Sequence, residues 1–223
     1  MTKAPRAGQV KTRLVPPLTP QEAADLNAAF LRDLSMSIFR ASEISPAQSV
    51  AAYTPPGSES AYENILPREF MLLPQRGENF AERLIFATED LFTIGFSSVC
   101  LINSDSPAVP AQNFAEAAIE LAEPGDRIVL GPADDGGYYL IGLKQVHHRL
   151  FEEIDWSTER VFEQTKQRAA ELKPRVHELA TGLDVDDHRS LVRLRDELLH
   201  NTSPDVALHT RKVLAELTAN ARF

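Results

Sequence analysis

Four short stretches of this chain carry side chains whose types and spacing could do chemistry. Near the start, Lys3, Arg6, Lys11 and Arg13 share one run with no acid among them. Gly8 lies between them and lets the backbone bend closely round a ligand. Ammonium and guanidinium groups flanking such a bend suit a polyphosphate. The run is not a P-loop, which needs a glycine directly before the lysine; Val10 stands there. A solvated basic arm is the plainer alternative.

The second stretch is Leu101-Ile102-Asn103-Ser104-Asp105-Ser106-Pro107, where an apolar run ends in a polar turn with a carboxylate. In open α/β sheets ligands bind at the carboxyl ends of strands, and Asp105 falls at such an end. A hard oxygen donor there suits Mg²⁺ bridging substrate phosphates; a capping role for Asp105 is the alternative. The third stretch, Gly131-Pro-Ala-Asp134-Asp135-Gly136-Gly137-Tyr138-Tyr139, puts two acids, paired glycines and paired tyrosines in one turn. The glycines permit close approach of a ligand to the backbone. Asp135 is placed to accept hydrogen bonds from hydroxyls, and Tyr138 or Tyr139 to stack on a ring. An Asp-Gly hairpin turn would use the same residues. The fourth is Asp184-Val185-Asp186-Asp187. In extended backbone alternate residues share a side, so Asp184 and Asp186 make a two-carboxylate claw for a divalent cation. Asp187 also suits the cap of a helix starting near His188. A D-x-D phosphatase motif would follow the first apolar strand, whereas this one lies near the C-terminal end.

Other residues read as structure. His147 and His148 are adjacent and cannot share a helix face. Trp156 precedes a Ser-Thr helix entry and serves equally as core or as a ligand platform. Cys100 sits mid-strand and reads as a small core residue.

These groups need a frame, and the apolar pattern supplies one. Strands are predicted at Val50 to Tyr53, Phe70 to Leu73, Val99 to Ile102, Arg127 to Leu130, Tyr138 to Leu143 and Val176 to Leu179. Most are too apolar to alternate, as in sheets buried on both faces. Between them lie helical periods. Thr19-Pro20-Gln21-Glu22 is a capping box with proline at the first helical position, followed by Leu26, Phe30, Leu34 and Ile38 on one stripe. A second helix runs from Glu78 to Ile94, with Phe80, Leu84 and Leu91 inward and Gly95 as its stop. Others span Ala111 to Ala122, Thr158 to Leu172, His188 to Leu199 and Pro204 to Leu217. Strands and helices in alternation predict a doubly wound α/β sheet. One domain over 1–223 is the simplest division, with 188–223 as a helical tail.

Composition sets the limits. With 223 residues and 43% hydrophobic content a packed core is within reach. A formal charge of -9 argues against general nucleic-acid binding. One cysteine excludes an intrachain disulfide and a cysteine metal cluster. Without an apolar run of membrane-spanning length or a leader, the expectation is a soluble cytoplasmic protein.

Taken in order, the blocks Lys3-Ala-Pro…Gly8…Val10-Lys11-Thr-Arg13-Leu14, Asn103-Ser-Asp105-Ser-Pro107, Gly131-Pro-Ala-x-Asp135-Gly-Gly-Tyr-Tyr-Leu-Ile-Gly142-Leu, Trp156-Ser-Thr158 and Asp184-Val-Asp186 resemble a bacterial family of GT-A-fold transferases. This is the arsenosugar-biosynthesis type glycosyltransferase, or radical-SAM/selenodomain-associated transferase, and the resemblance spans nearly the whole chain. The layout is also similar to 2-phospholactate guanylyltransferase and, more distantly, to molybdenum cofactor guanylyltransferase. The resemblance implies a nucleotide-diphospho-sugar transferase fold: Rossmann-like, doubly wound, with a mixed, mostly parallel sheet. It also marks Gln75, Gly77 and Arg83 for the nucleotide's base side. Relatives open with an apolar strand ahead of Lys-Ala-Pro. Here only Met1 and Thr2 precede Lys3, so the expectation is a sheet lacking its first, central strand, from a chain start that is mis-set or truncated. Asn103 stands where glycine is common, and Phe80-Ala81 where Leu-Gly is expected.

The function implied is metal-dependent transfer from a nucleotide or sugar-nucleotide donor to a small-molecule acceptor. Lys3, Gly8, Lys11 and Arg13 would hold donor phosphates, and Asp105, Asp186 and Asp184 would hold Mg²⁺ or Mn²⁺. Asp135 and Asp105 would be catalytic; Gly136, Gly137, Tyr138 and Trp156 would shape the substrate pocket. Glycosyl transfer leads, with nucleotidyl transfer as the alternative and a non-catalytic nucleotide-binding protein as a third.

Overall fold

The computed structural model describes residues 1–200 and 205–222. Strand β1 (Thr2–Lys3) leads into the basic arm, which closes on a short 3-10 turn at Thr12–Leu14. Helix α1 (Pro20–Ile44) starts with the predicted box: Thr19 accepts from the Glu22 N–H, and Glu22 accepts from the Thr19 N–H. Then come β2 (Val50–Thr54), β3 (Met71–Pro74), α2 (Phe80–Ile94), β4 (Val99–Ile102), α3 (Ala111–Ala122), β5 (Arg127–Pro132), β6 (Tyr138–Leu143), α4 (Val161–Leu172), β7 (Arg175–Glu178), α5 (His188–His200) and α6 (Leu208–Ala219). Asn79 caps α2 and Gly95, at φ 112°, ends it. Phe80 is 51% exposed at that cap rather than inward. Pro204, the predicted start of the last helix, lies outside the described residues.

The strands form two sheets, β1-β2-β3 and β4-β6-β5-β7. The first is parallel throughout; in the second, β6 runs antiparallel to both β4 and β5, and β5 pairs parallel with β7. The second sheet is thus mixed, and the strands divide between two sheets where one mixed, mostly parallel sheet was expected; the α/β arrangement is as expected. The central strands of the second sheet are covered on both faces. Ile128, Leu130, Ile141 and Leu143 face α2 and α4, while Val129, Tyr139 and Leu140 face α1 and α3. The edge strands β3 and β7 are largely exposed.

The first strand is present in part: Thr2 pairs with Tyr53 and Lys3 with Thr54. The Gln75 amide reinforces this end, donating to the carbonyls of Thr2 and Ala52 at 3.1 and 2.7 Å. The Met1 nitrogen donates to the Ile102 carbonyl at 2.7 Å and links the two sheets. Alongside Met1 the sheets part round a cavity of about 710 Å³. Its walls include Val50 and Ala51 of β2, Cys100 and Leu101 of β4, Ile38 of α1 and Leu121 of α3.

The last two helices do more than cover a surface. Leu191, Leu194 and Leu198 of α5 and Leu214 and Leu217 of α6 share one apolar cluster with Leu14 and Leu18 of the arm's exit and Leu26 and Phe30 of α1. Asp33 of α1 is 6% exposed, and its two carboxylate oxygens accept from the backbone N–H groups of His209 and Thr210. It caps from outside a helix start that lacks a capping side chain of its own.

Candidate phosphate and cation site

The basic arm and the end of β4 enclose a cleft of about 240 Å³. Lys3, Gln9, Lys11, Arg13, Ser104, Asp105 and Asp186 all contribute to its wall. Local geometry explains the convergence. Gly8 at φ 73° and Lys11 at φ 48° both take the left-handed region, so the arm folds back on itself. A lysine in that region carries a cost of roughly 1 kcal/mol or more, which contacts of the folded state must offset. Those contacts are polar and short. The Lys11 ammonium is 2.7 Å from Asp105 Oδ1 and 3.2 Å from Asp186 Oδ1, and donates to the Val185 carbonyl at 2.6 Å. The Val185 N–H donates to the Asp105 carbonyl at 3.1 Å, tying the two acidic segments together through backbone.

Only 4% of the Lys11 side chain is exposed. Burial alone would lower its pKa, but Asp105, Asp186 and Asp184 outweigh burial and hold it above the ordinary lysine value. Arg13 is different: 68% exposed, with its guanidinium 3.7 Å from Asp186 Oδ2. Lys11 is therefore a buried, paired charge and Arg13 an exposed one at the rim.

Asp184 is brought to the same place but faces inward. Its Oδ1 accepts from Asn103 Nδ2 at 2.8 Å and Ser106 Oγ at 3.2 Å. Burial, with Asp105, Asp186 and Asp135 adding negative charge nearby and Lys11 opposing them, pushes its pKa up from 3.8 to about 7. Asn103, a departure from the resembled pattern, thus holds this carboxyl in place. Asp134, not singled out by sequence, accepts from the Asp184 N–H at 3.1 Å and pairs with Arg193 of α5. The signal missed was its neighbour's dominance: an acid one residue from a glycine pair reads as turn filler.

The Asp134-Asp135-Gly136-Gly137 segment is the turn of the β5–β6 hairpin, the plainer of its two readings in backbone terms. Asp135 is exposed and its Oδ1 accepts from the Gly137 N–H at 2.8 Å. Its charge acts on Asp184, which places it at the same end of the sheet. Gly136 is at φ 89°, and a Cβ there would strike the Glu159 backbone. Its carbonyl accepts from the Phe162 N–H at 2.8 Å, fastening the turn to the start of α4.

The remaining candidates lie outside the cleft wall. Tyr138 packs beside the apolar cluster under the sheet; its hydroxyl is buried with no partner among the described residues, and burial pushes its pKa far up. Trp156 meets Phe80 edge-on with ring centres 5.0 Å apart. Arg83 Nε donates to the Gly77 carbonyl at 3.3 Å, which closes the loop ahead of α2. Gln75 spends its amide inside the sheet.

For a divalent cation the donor chemistry is suitable: two carboxylates and a carbonyl, all oxygen, converge on one point. That point is held by the Lys11 ammonium. Among the described residues no group of three or more His, Cys, Asp or Glu side chains is disposed to hold a metal by itself.

The cleft stands at the carboxyl ends of β1 and β4, where the two sheets meet, and comparison with known proteins locates the same fold elsewhere. A protein from Desulfovibrio desulfuricans G20, assigned provisionally as a nucleotide-diphospho-sugar transferase, superposes with a TM-score of 0.86 at 28% identity, over 99% of this chain and 94% of that one. CMP:2-keto-3-deoxy-manno-octonic acid synthetase, solved with CTP, gives 0.52 at 13% identity over 89% and 97%. A cytidylyltransferase from Leptospira borgpetersenii gives 0.52 at 14% over 99% and 93%. The last two show fold alone. No curated protein matches the chain. Among the described residues no helix is long and apolar enough to cross a membrane. Residues 38–158 match DUF2064, described as an uncharacterized protein conserved in bacteria, and the chain belongs to that family, on the fold of nucleotide-diphospho-sugar transferases.

Proposed function

We propose that this protein is a transferase that uses a nucleotide-activated donor, and that the donor is a nucleotide-diphospho-sugar. One observation carries the reading: a basic arm and two acidic segments, far apart in sequence, close on one cleft at the carboxyl ends of the strands. Its support is the fold shared with the Desulfovibrio protein over almost the full length of both chains.

In this reading Lys3, Lys11 and Arg13 hold the donor's phosphates, with Gly8 letting the arm close over them. As the bond from sugar to diphosphate breaks, negative charge grows on the leaving diphosphate, and fixed cations facing it stabilise the transition state more than the ground state. Asp105 and Asp186, with the Val185 carbonyl, would hold Mg²⁺ or Mn²⁺. That ion would supply further charge neutralisation on the same oxygens. Asp184, held by Asn103 and Ser106, positions this acidic wall. Asp135, on the hairpin at the same end, would receive the acceptor's hydroxyl proton. The Gly136–Gly137 backbone, Tyr138 and Trp156 would bound the acceptor side, with Gln75, Gly77 and Arg83 toward the base.

A thermal-shift screen of sugar nucleotides and nucleoside di- and triphosphates, with and without Mn²⁺, tests the reading. A donor at 100 times its Kd stabilises by about 2.7 kcal/mol, a readily measured rise in Tm. Product analysis then separates the chemistries. Release of a nucleoside diphosphate supports glycosyl transfer; release of pyrophosphate from a nucleoside triphosphate moves the assignment to nucleotidyl transfer. No shift with any nucleotide refutes both.

A further inference from the structure

Lys11 occupies a point in the cleft where oxygen donors suited to a hard cation converge. Its nitrogen has Asp105 Oδ1, Asp186 Oδ1 and the Val185 carbonyl within 2.7, 3.2 and 2.6 Å. On another side the Phe30 ring centre is 5.5 Å away. A divalent ion at this point would need the same oxygens and would meet a positive charge at contact distance. At short range and low solvent exposure such repulsion is decisive. The side chain nonetheless borders the cleft beside Lys3 and Arg13, so an anion entering there offers the ammonium another acceptor.

We infer that Lys11 is a tethered place-holder: in the nucleotide-free protein its ammonium holds the cation position and keeps a divalent ion out. With the cleft read as the donor-phosphate site, entry of the phosphates draws the ammonium away and opens Asp105, Asp186 and the Val185 carbonyl. Ion and nucleotide then load together, each raising the other's affinity by the same factor.

The test is Mn²⁺ binding to the full chain without nucleotide, read by electron paramagnetic resonance at fixed ionic strength. Lys11→Met is expected to bind Mn²⁺ about tenfold more tightly than wild type, within the usual range of coupling. Lys11→Arg, which keeps a cation, should match wild type, and Asp105→Asn combined with Lys11→Met should lose the gain. Should Lys11→Met not fold, Lys11→Gln reads the same quantity. Wild-type protein that binds Mn²⁺ as tightly as the neutral variants overturns the proposal. The same titration with UDP, GDP, CDP and ADP keeps the two readings apart. If no nucleotide binds while the neutral variants gain Mn²⁺ affinity, the place-holder stands and the nucleotide assignment falls.

Discussion

Two hollows of this molecule contrast, and the smaller one is where chemistry converges. The cleft of about 240 Å³ is walled by cations and carboxylates drawn from three separate stretches of the chain. The cavity of about 710 Å³ is walled mainly by Val, Ala, Leu, Ile and Phe. Cys100 on its wall has a thiol that burial pushes up to about 12, and a neutral thiol is unreactive. Volume alone would favour the larger space. The convergence of opposite charges, costly to assemble unless paired, favours the smaller.

Substitutions can sharpen this contrast. The largest effect is expected in the cleft. Asp105→Asn should lower turnover with the donor found by thermal shift by about a hundredfold or more. Unchanged turnover in steady-state assays would remove Asp105 from the chemistry. Next comes Gly136→Ala, which forces a Cβ against the Glu159 backbone at a positive φ. A loss of roughly 2 kcal/mol in urea unfolding is expected.

The third prediction concerns pH. The Asp184 carboxyl titrates near 7 when folded and near 3.8 when unfolded, so between those values the folded state binds more protons. This group therefore favours folding at low pH, and its contribution declines as pH rises from about 4 to 7. Asp184→Asn should flatten that decline and raise stability at pH 8 by about 4 kcal/mol at most, the pKa difference converted to energy. Urea midpoints at pH 5 and pH 8 check it; equal slopes for both proteins would count against a buried, charged Asp184.

The smallest effects belong to the large cavity. Ala51→Leu adds carbon where there is space and should raise stability by about 1 kcal/mol while leaving nucleotide affinity unchanged. Loss of nucleotide binding in that variant, measured by calorimetry, would join the two hollows into one site.

The frame of this structure was largely legible in its residues. Strands β4 and β6 and helix α3 fall at the predicted bounds because their apolar runs are long enough to declare a period and are cut by clear turn residues. The capping box at Thr19 and the Asp187 cap, which accepts from the Ser190 N–H at 2.8 Å, are local rules obeyed locally. The acidic segments were legible as candidates, and folding brings Asp105 and Asp186 together. What could not be read is any contact decided by three dimensions. Nothing near Lys11 says that its charge is buried. Asp33 sits on a helix in mid-chain, and no spacing reveals that it caps a helix starting at Leu208. The mistaken inward Phe80 has the opposite cause: it is the first residue of α2, ahead of the stripe that packs under the sheet, and its ring meets Trp156 instead.

The Lys11 amine is gripped by Val185 and Asp186, 174 and 175 positions further along the chain. Asp105 can meet the amine earlier, but the grip is complete only once residues 185 and 186 have been made. Contacts of such long sequence separation form late and slowly. A growing chain would leave this lysine short of two of its three oxygen partners until those residues emerged, and the site would take its full shape only then.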